Sequence, residues 1–259
     1  MATASRSDDL LALLLWGLDL LARPTPYNIL RGFEAWDYEN RIRPQLRRLE
    51  RARMLERQGS GAAATLRLTP QGQTAAFGGV DPLKRWQRPW DGKWKLLLFD
   101  LPSGQQRLRL RLWRWLRTER LGFLQNSVWT SPDALDESCL PLKRLHLTPE
   151  SFTVFTGQPV PPDTDADFVR SAWDFVAINR RYQSAMNVME RGRDFAVQGD
   201  AKPAQFHQWL RAEREAWAAA ITIDPLLPEP LLPPGYLGRE AWKLRQSVFA
   251  ALARHHANG

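Results

Sequence analysis

Cysteine is nearly absent: Cys139 stands alone in 259 residues. No intrachain disulfide can form, and a reducing, cytoplasmic setting is expected. Histidine is scarce as well. His146, His207, His255 and His256 lack companions at ligand-like spacing, so no metal site is expected. No Ser/His/Asp or Cys/His arrangement and no Gly-rich phosphate loop is evident, so the chain does not read as an enzyme. Long apolar runs are missing too. The strongest, "LLALLLWGLDLLA" (Leu10 to Ala22), is too short for a bilayer and contains Asp19. Asp8 and Asp9 precede it, where a secretion signal carries positive charge, so it reads as a packed helix and not as a leader or membrane segment.

Negative charge is in deficit. With 36 Lys and Arg against 28 Asp and Glu, the net charge is +8. The imbalance is local: 13 basic against 9 acidic residues over 1–85, 11 against 7 over 86–160, and 12 against 12 thereafter. The basic excess in the first two thirds points to an anionic partner, and the neutral last third to a different task.

The densest basic run is "NRIRPQLRRLERARML" (Asn40 to Leu55), with six arginines from Arg41 to Arg53. With Asn40 as N-cap, Pro44 falls at the fourth helical position and withholds no intrahelical hydrogen bond. Helical periodicity then puts Ile42, Leu46, Leu49 and Arg53 on one face. Pro44, Arg47, Arg48 and Arg51 lie opposite, with Arg41 beside them and Arg43 and Gln45 on the flanks. By itself the ridge fits either a solvated helix face or an anion-binding one.

Its neighbours favour the second. Helices are predicted over 8–22 and 27–33 before it. "MLERQGSGAAATLRLT" (Met54 to Thr69) reads as a hairpin turning at Gly59-Ser60-Gly61. Helices followed by a hairpin make the order of a winged helix-turn-helix, over 1–85. In such a fold arginine can grip guanine edges, Gln45 adenine, and Arg57 and Arg67 in the wing can hold phosphates.

A second domain is predicted over 86–160. Strands at Lys93–Pro102, Gly122–Pro132 and Ser151–Pro159 flank a helix at Gln105–Arg120 and a broken helix near "DALDESCLPLKRL", an order that fits a ferredoxin-like α+β domain. On the first helix, Leu108, Leu112, Trp115 and Leu116 form a core face, Arg107, Arg114 and Arg117 an outer one that reads either as a charged solvent face or as an anion site for a coenzyme A phosphate, and Leu110 and Trp113 point off the core. Trp86, Trp90 and Trp94 cluster at the boundary, either as packing or around an aryl pocket. The third segment, 161–259, is mostly helical: one long helix over Asp167–Val197, one from Pro203 to Ala220, and one over Arg239–His255. Between the last two lies "DPLLPEPLLPPGYLG" (Asp224 to Gly238), whose five prolines exclude a helix.

"RPQLRRLERARML", then "WDGKWKLLLFDLP" with "LGFLQNSVWTSP", then "DPLLPEPLLPPGYLG", in this order, resemble the PaaX family, transcriptional repressors of phenylacetate and related aromatic catabolism. Arg53 stands where the family usually has glycine, and Tyr236 where it usually has tryptophan. The resemblance implies a winged helix-turn-helix, a Cas2-like ferredoxin-like middle domain and a helical C-terminal domain. It further implies a homodimer on double-stranded operator DNA, released by an aryl-coenzyme A thioester such as phenylacetyl-CoA. Two alternatives stand beside it: a metal-dependent nuclease using Asp100, which ends the "LFDLP" strand as the Cas2-like aspartate does, and a DNA-binding regulator with no small-molecule effector.

Overall fold

A computed structural model describes residues 39–59, 64–77, 79–101, 104–125, 127–135, 152–198 and 203–258. The helices expected at 8–22 and 27–33, the segment "DALDESCLPLKRL" beyond residue 135, Cys139 and His146 lie outside them. The chain forms two compact units, each discontinuous in sequence: residues 1–81, 180–220 and 237–259, and residues 82–179 with 221–236.

In the first unit, helix α1 (Glu39–Arg51) leads into an antiparallel hairpin, β1 (Leu55–Gln58) with β2 (Thr65–Leu68), paired Leu55 to Leu68 and Arg57 to Leu66. Short helix α2 (Pro70–Ala76) follows. Leu46 and Leu49 of α1 are buried, as are Leu55, Leu66 and Leu68 of the hairpin, so the periodicities of 3.6 and 2 select the inward faces as predicted. Two details differ from the sequence expectation. The helix begins at Glu39, not after Asn40, so Pro44 lies at its sixth position, where it denies a hydrogen bond to the Asn40 carbonyl. Glu39 suits the positive end of the helix dipole, which favours the earlier start. Arg53, expected on the apolar face, lies beyond the helix end and is exposed.

The described residues of this unit beyond 180 are helical. Tyr182, Ala185 and Met189 of α6 (Phe175–Gln198) are buried, as are Trp209, Leu210 and Trp217 of α7 (Pro203–Ile223). On α8 (Gly238–Asn258) Trp242, Val248, Phe249 and Leu252 are buried. The Trp217 ring lies 5.9 Å from Tyr182 and 5.6 Å from Trp242, and its Nε1 donates to the Phe77 carbonyl at 3.0 Å.

The second unit is built on β3 (Trp94–Phe99), β4 (Gly122–Gln125), β5 (Val128–Ser131) and β6 (Phe152–Gly157), in the order β4-β5-β3-β6 with every neighbouring pair antiparallel. That is the strand order of a ferredoxin-like sheet, with β3 central. The run Gly122–Pro132, predicted as one strand, is two. The chain reverses after Gln125, and Val128 pairs back to it. α4 (Gln106–Thr118) covers one face of the sheet: its Leu112 and Leu116 pack with Leu97, Phe99 and Trp129. Trp113, expected to point off the core, packs against this cluster, its ring 5.7 Å from Phe123 and 6.2 Å from Trp129. The large indole reaches around the helix to apolar surface that periodicity alone assigns to its neighbours.

Alternation turns Trp94 to the opposite face, where it meets Phe168 and Trp173 at 4.9 and 6.0 Å and donates to Asp165 Oδ1 at 2.8 Å. Phe168 belongs to α5 (Asp165–Ala172), opened by a capping box of Thr164 and Asp167. The single helix predicted over Asp167–Val197 is therefore two. Trp173 adopts an extended backbone and donates its Nε1 to the Arg120 carbonyl at 3.3 Å. Asp174 then starts α6, accepting from the Ala177 N–H at 2.9 Å. The described residues of this unit also include α3 (Pro82–Trp86) and the proline-rich segment, the latter with one 3-10 turn at Glu229–Leu231. Its Leu227 and Leu231 join the Trp94 cluster.

Candidate nucleic-acid interface

Arg47, Arg48 and Arg51 are exposed on α1, opposite buried Leu46 and Leu49. Arg41 and Arg43 lie in the same helix, with side chains outside the described set. Gln45 is half-buried. Arg57 and Arg67 are exposed on the hairpin. Arg57 is held by Glu50, 3.0 Å from Oε1, and Arg67 lies 4.0 Å from Glu56. Exposed pairs of this kind are worth little and can be exchanged for a phosphate.

The end of α1 is locked in a way the sequence did not disclose. The Met54 N–H donates to the Leu49 carbonyl and the Arg53 N–H to Glu50, both at 2.9 Å, and Arg53 has φ +56°. This is a Schellman motif with arginine in the left-handed position where glycine is favoured. Arg53 therefore holds this position at a conformational cost. Thr69 ties the motif to the hairpin base. Its hydroxyl donates to the Arg53 carbonyl at 2.7 Å and accepts from the Gly72 N–H at 3.0 Å, capping α2. Gly72 permits the approach: a Cβ there would lie 1.9 Å from the Met54 carbonyl oxygen. Helix, hairpin and α2 thus share one fastening, which fixes the arginine ridge relative to Arg57 and Arg67.

The remaining candidates divide. Asp100 is exposed just after β3. Among the described residues no group of three His, Cys, Asp or Glu could hold a metal ion. Also among the described residues, no helix is long and apolar enough to cross a membrane. The tryptophans of the first boundary are packing residues of the second unit: Trp86 is buried, and Trp90 lies 5.6 Å from Trp94.

The proline-rich signature proved to be a buried polar junction. Asp224 accepts from the Leu226 N–H at 2.7 Å and from the Tyr236 hydroxyl, which itself accepts from Trp86 Nε1 at 3.1 Å. Arg120, a second arginine in a left-handed Schellman position (φ +67°), donates to the Ile221 carbonyl at 2.5 Å and to the Asp224 carbonyl. Arg88 grips Asp133 with two nitrogens at 2.5 and 3.1 Å and also donates to the Leu226 carbonyl. Burial lowers the Arg88 pKa, and the Asp133 hydrogen bond opposes that. "DPLLP" and "PPGY" are spaced to make this junction.

A four-stranded antiparallel sheet in this order, joined to a helical C-terminal region, defines a mixed α+β protein with a Cas2-like central domain. The family model of the PaaX protein central Cas2-like domain matches residues 87–169, and that of the PaaX-like protein C-terminal domain matches residues 173–258. The chain belongs to the PaaX family. The solved structure of the uncharacterized protein Rv0674 from Mycobacterium tuberculosis shares the fold at 21% identity, with a TM-score of 0.60 over 99% of both chains. No curated protein matches the chain.

Proposed function

We propose that the chain is a DNA-binding transcriptional repressor of an aromatic-acid catabolic operon, released by an aryl-CoA thioester of the phenylacetyl-CoA type. The observation that carries the DNA reading is the ridge Arg47, Arg48 and Arg51, exposed on a helix fastened to a two-stranded hairpin. Family membership supports a regulatory role over a catalytic one. In this reading residues 1–85 form a winged helix-turn-helix whose reading helix is α1, 86–160 the middle domain and 161–259 the helical C-terminal domain. The protein works in the cytoplasm. A homodimer places two reading helices about one DNA turn apart on a palindrome. Guanidiniums of the α1 ridge read guanine, while Arg57 and Arg67 hold phosphates. The thioester must bind the DNA-free arrangement more tightly, since equal affinity for both would shift nothing.

Selection of genomic fragments by the purified protein, followed by sequencing, should recover a palindromic site. Phenylacetyl-CoA and related thioesters should then raise thermal stability and release that site. Recovery of no preferred sequence would refute the operator reading. A site that forms normally but ignores every thioester would leave a regulator without this class of effector.

A further inference from the structure

α4 carries five arginines and no acidic residue in its thirteen positions. Arg109 is half-buried and donates to the Leu101 carbonyl at 2.9 Å. Arg107, Arg111, Arg114 and Arg117 are exposed, and none forms an ion pair among the described residues. They follow one another at intervals of four, three and three, so each guanidinium faces the next along one side of the helix. At about 1.5 Å rise per residue the row spans about 15 Å.

A solvated outer face ordinarily mixes signs, with acids placed four residues before bases. Here three successive like-charge pairs oppose the helix. The first turn, which favours acids, holds Arg107 and Arg109 instead. The buried face of Leu112 and Leu116 fixes the fold without any of this charge. An arrangement that works against its own helix is explained by a partner that neutralises it. Guanidiniums repeated over this length match a polyanion with charges in series, which the duplex phosphate backbone supplies.

We infer that the exposed arginine row of α4 is a second, sequence-independent contact for the phosphate backbone of duplex DNA, separate from the α1 ridge. The inference rests on the DNA-binding reading above and extends it to the second unit.

The test uses the full-length chain with all four arginines replaced (Arg107→Gln, Arg111→Gln, Arg114→Gln, Arg117→Gln). Circular dichroism and thermal melting verify the fold, and relief of repulsion should hold or raise the melting temperature. Affinity for a long duplex of arbitrary sequence is then measured against salt. Each lost phosphate contact lowers the slope of log K against log salt by about 0.9, so the variant should lose about 3–4 of slope and at least tenfold in affinity near 100 mM salt. Its preference for a selected site over arbitrary duplex should stay within about twofold, because phosphate contacts carry no sequence information. A folded variant with unchanged slope, beside an α1 variant whose slope falls, overturns the α4 site and leaves the operator reading intact. A reduced slope with no site preference in the native protein upholds the α4 site and overturns the operator reading. Native protein that binds no duplex but is retained on polyglutamate would assign the row to an acidic protein and overturn the inference.

Discussion

Replacing Glu213 by Gln would leave a guanidinium buried without its counter-ion. Glu213 and Arg245 join α7 to α8 inside the first unit, and both side chains have 0% exposure. Arg245 Nε lies 2.7 Å from Oε1 and Nη2 3.3 Å from Oε2, the two-pronged geometry that strengthens such pairs. Its guanidinium stacks 4.9 Å from the Trp217 ring centre and 5.2 Å from that of Phe249. Nη1 is buried with no hydrogen-bond partner among the described residues. The pair is therefore fully desolvated and incompletely satisfied. Removing one member of such a pair costs about 3–5 kcal/mol, because the survivor keeps its desolvation penalty. At about 2–4 °C per kcal/mol, the melting temperature should fall by about 6–20 °C. Arg245→Met should cost a comparable amount. The double replacement Glu213→Leu with Arg245→Met removes both charges and should be close to neutral, or more stable by about 1–4 kcal/mol. Denaturant unfolding followed by tryptophan fluorescence reads all three variants, since Trp217 borders the pair. Single losses below about 1 kcal/mol that simply add in the double variant would refute this account of the pair.

Other positions give independent checks. Arg53→Gly should stabilise the chain by about 0.5–1 kcal/mol in denaturant unfolding, because glycine accepts the left-handed conformation freely. Arg120→Gly should destabilise despite the same backbone relief, since its side chain serves the Ile221 and Asp224 carbonyls. Tyr236→Phe should cost about 1–3 kcal/mol by removing a buried partner from both Asp224 and Trp86. The Thr164 hydroxyl, followed by its backbone N–H, holds the Asp167 carboxyl below the usual aspartate range. A lowered folded pKa contributes stability above the unfolded value, near 3.9, and loses it as pH falls through the folded one. An NMR titration of Asp167 should move up towards that value in Thr164→Ala, and an unmoved midpoint would rule out the capping box as its cause.

How far the chain could be read in advance depended on where each signal resides. The faces of α1 and α4 followed from the spacing of Leu46 with Leu49 and of Leu112 with Leu116, a property local to each helix. The central sheet was legible strand by strand, except where "GFLQNSVWTS" reverses. Apolar residues on both sides of Asn126 and Ser127 sustain one continuous strand pattern there. The break at Trp173 was missed because no glycine or proline marks it. Its causes are an indole seated against Trp94 and Arg120, and Asp174 as a cap. The indole contact is tertiary, and no spacing in the sequence announces it. Glu213 and Arg245 are 32 positions apart, each in a stretch that reads as an ordinary charged helix, so their pairing is purely tertiary. For the candidate interface the arginines were legible by type and face. The Schellman turn at Arg53 and its fastening through Thr69 depended on backbone angles that no residue spacing encodes.

The central claim is that the α1 ridge contacts operator DNA. The most direct measurement is the salt dependence of affinity for a selected site after Arg47→Ala, Arg48→Ala and Arg51→Ala together. The account predicts a folded protein that loses site preference, with a slope lower by about 0.9 for each phosphate contact removed. An unchanged affinity and slope would contradict it.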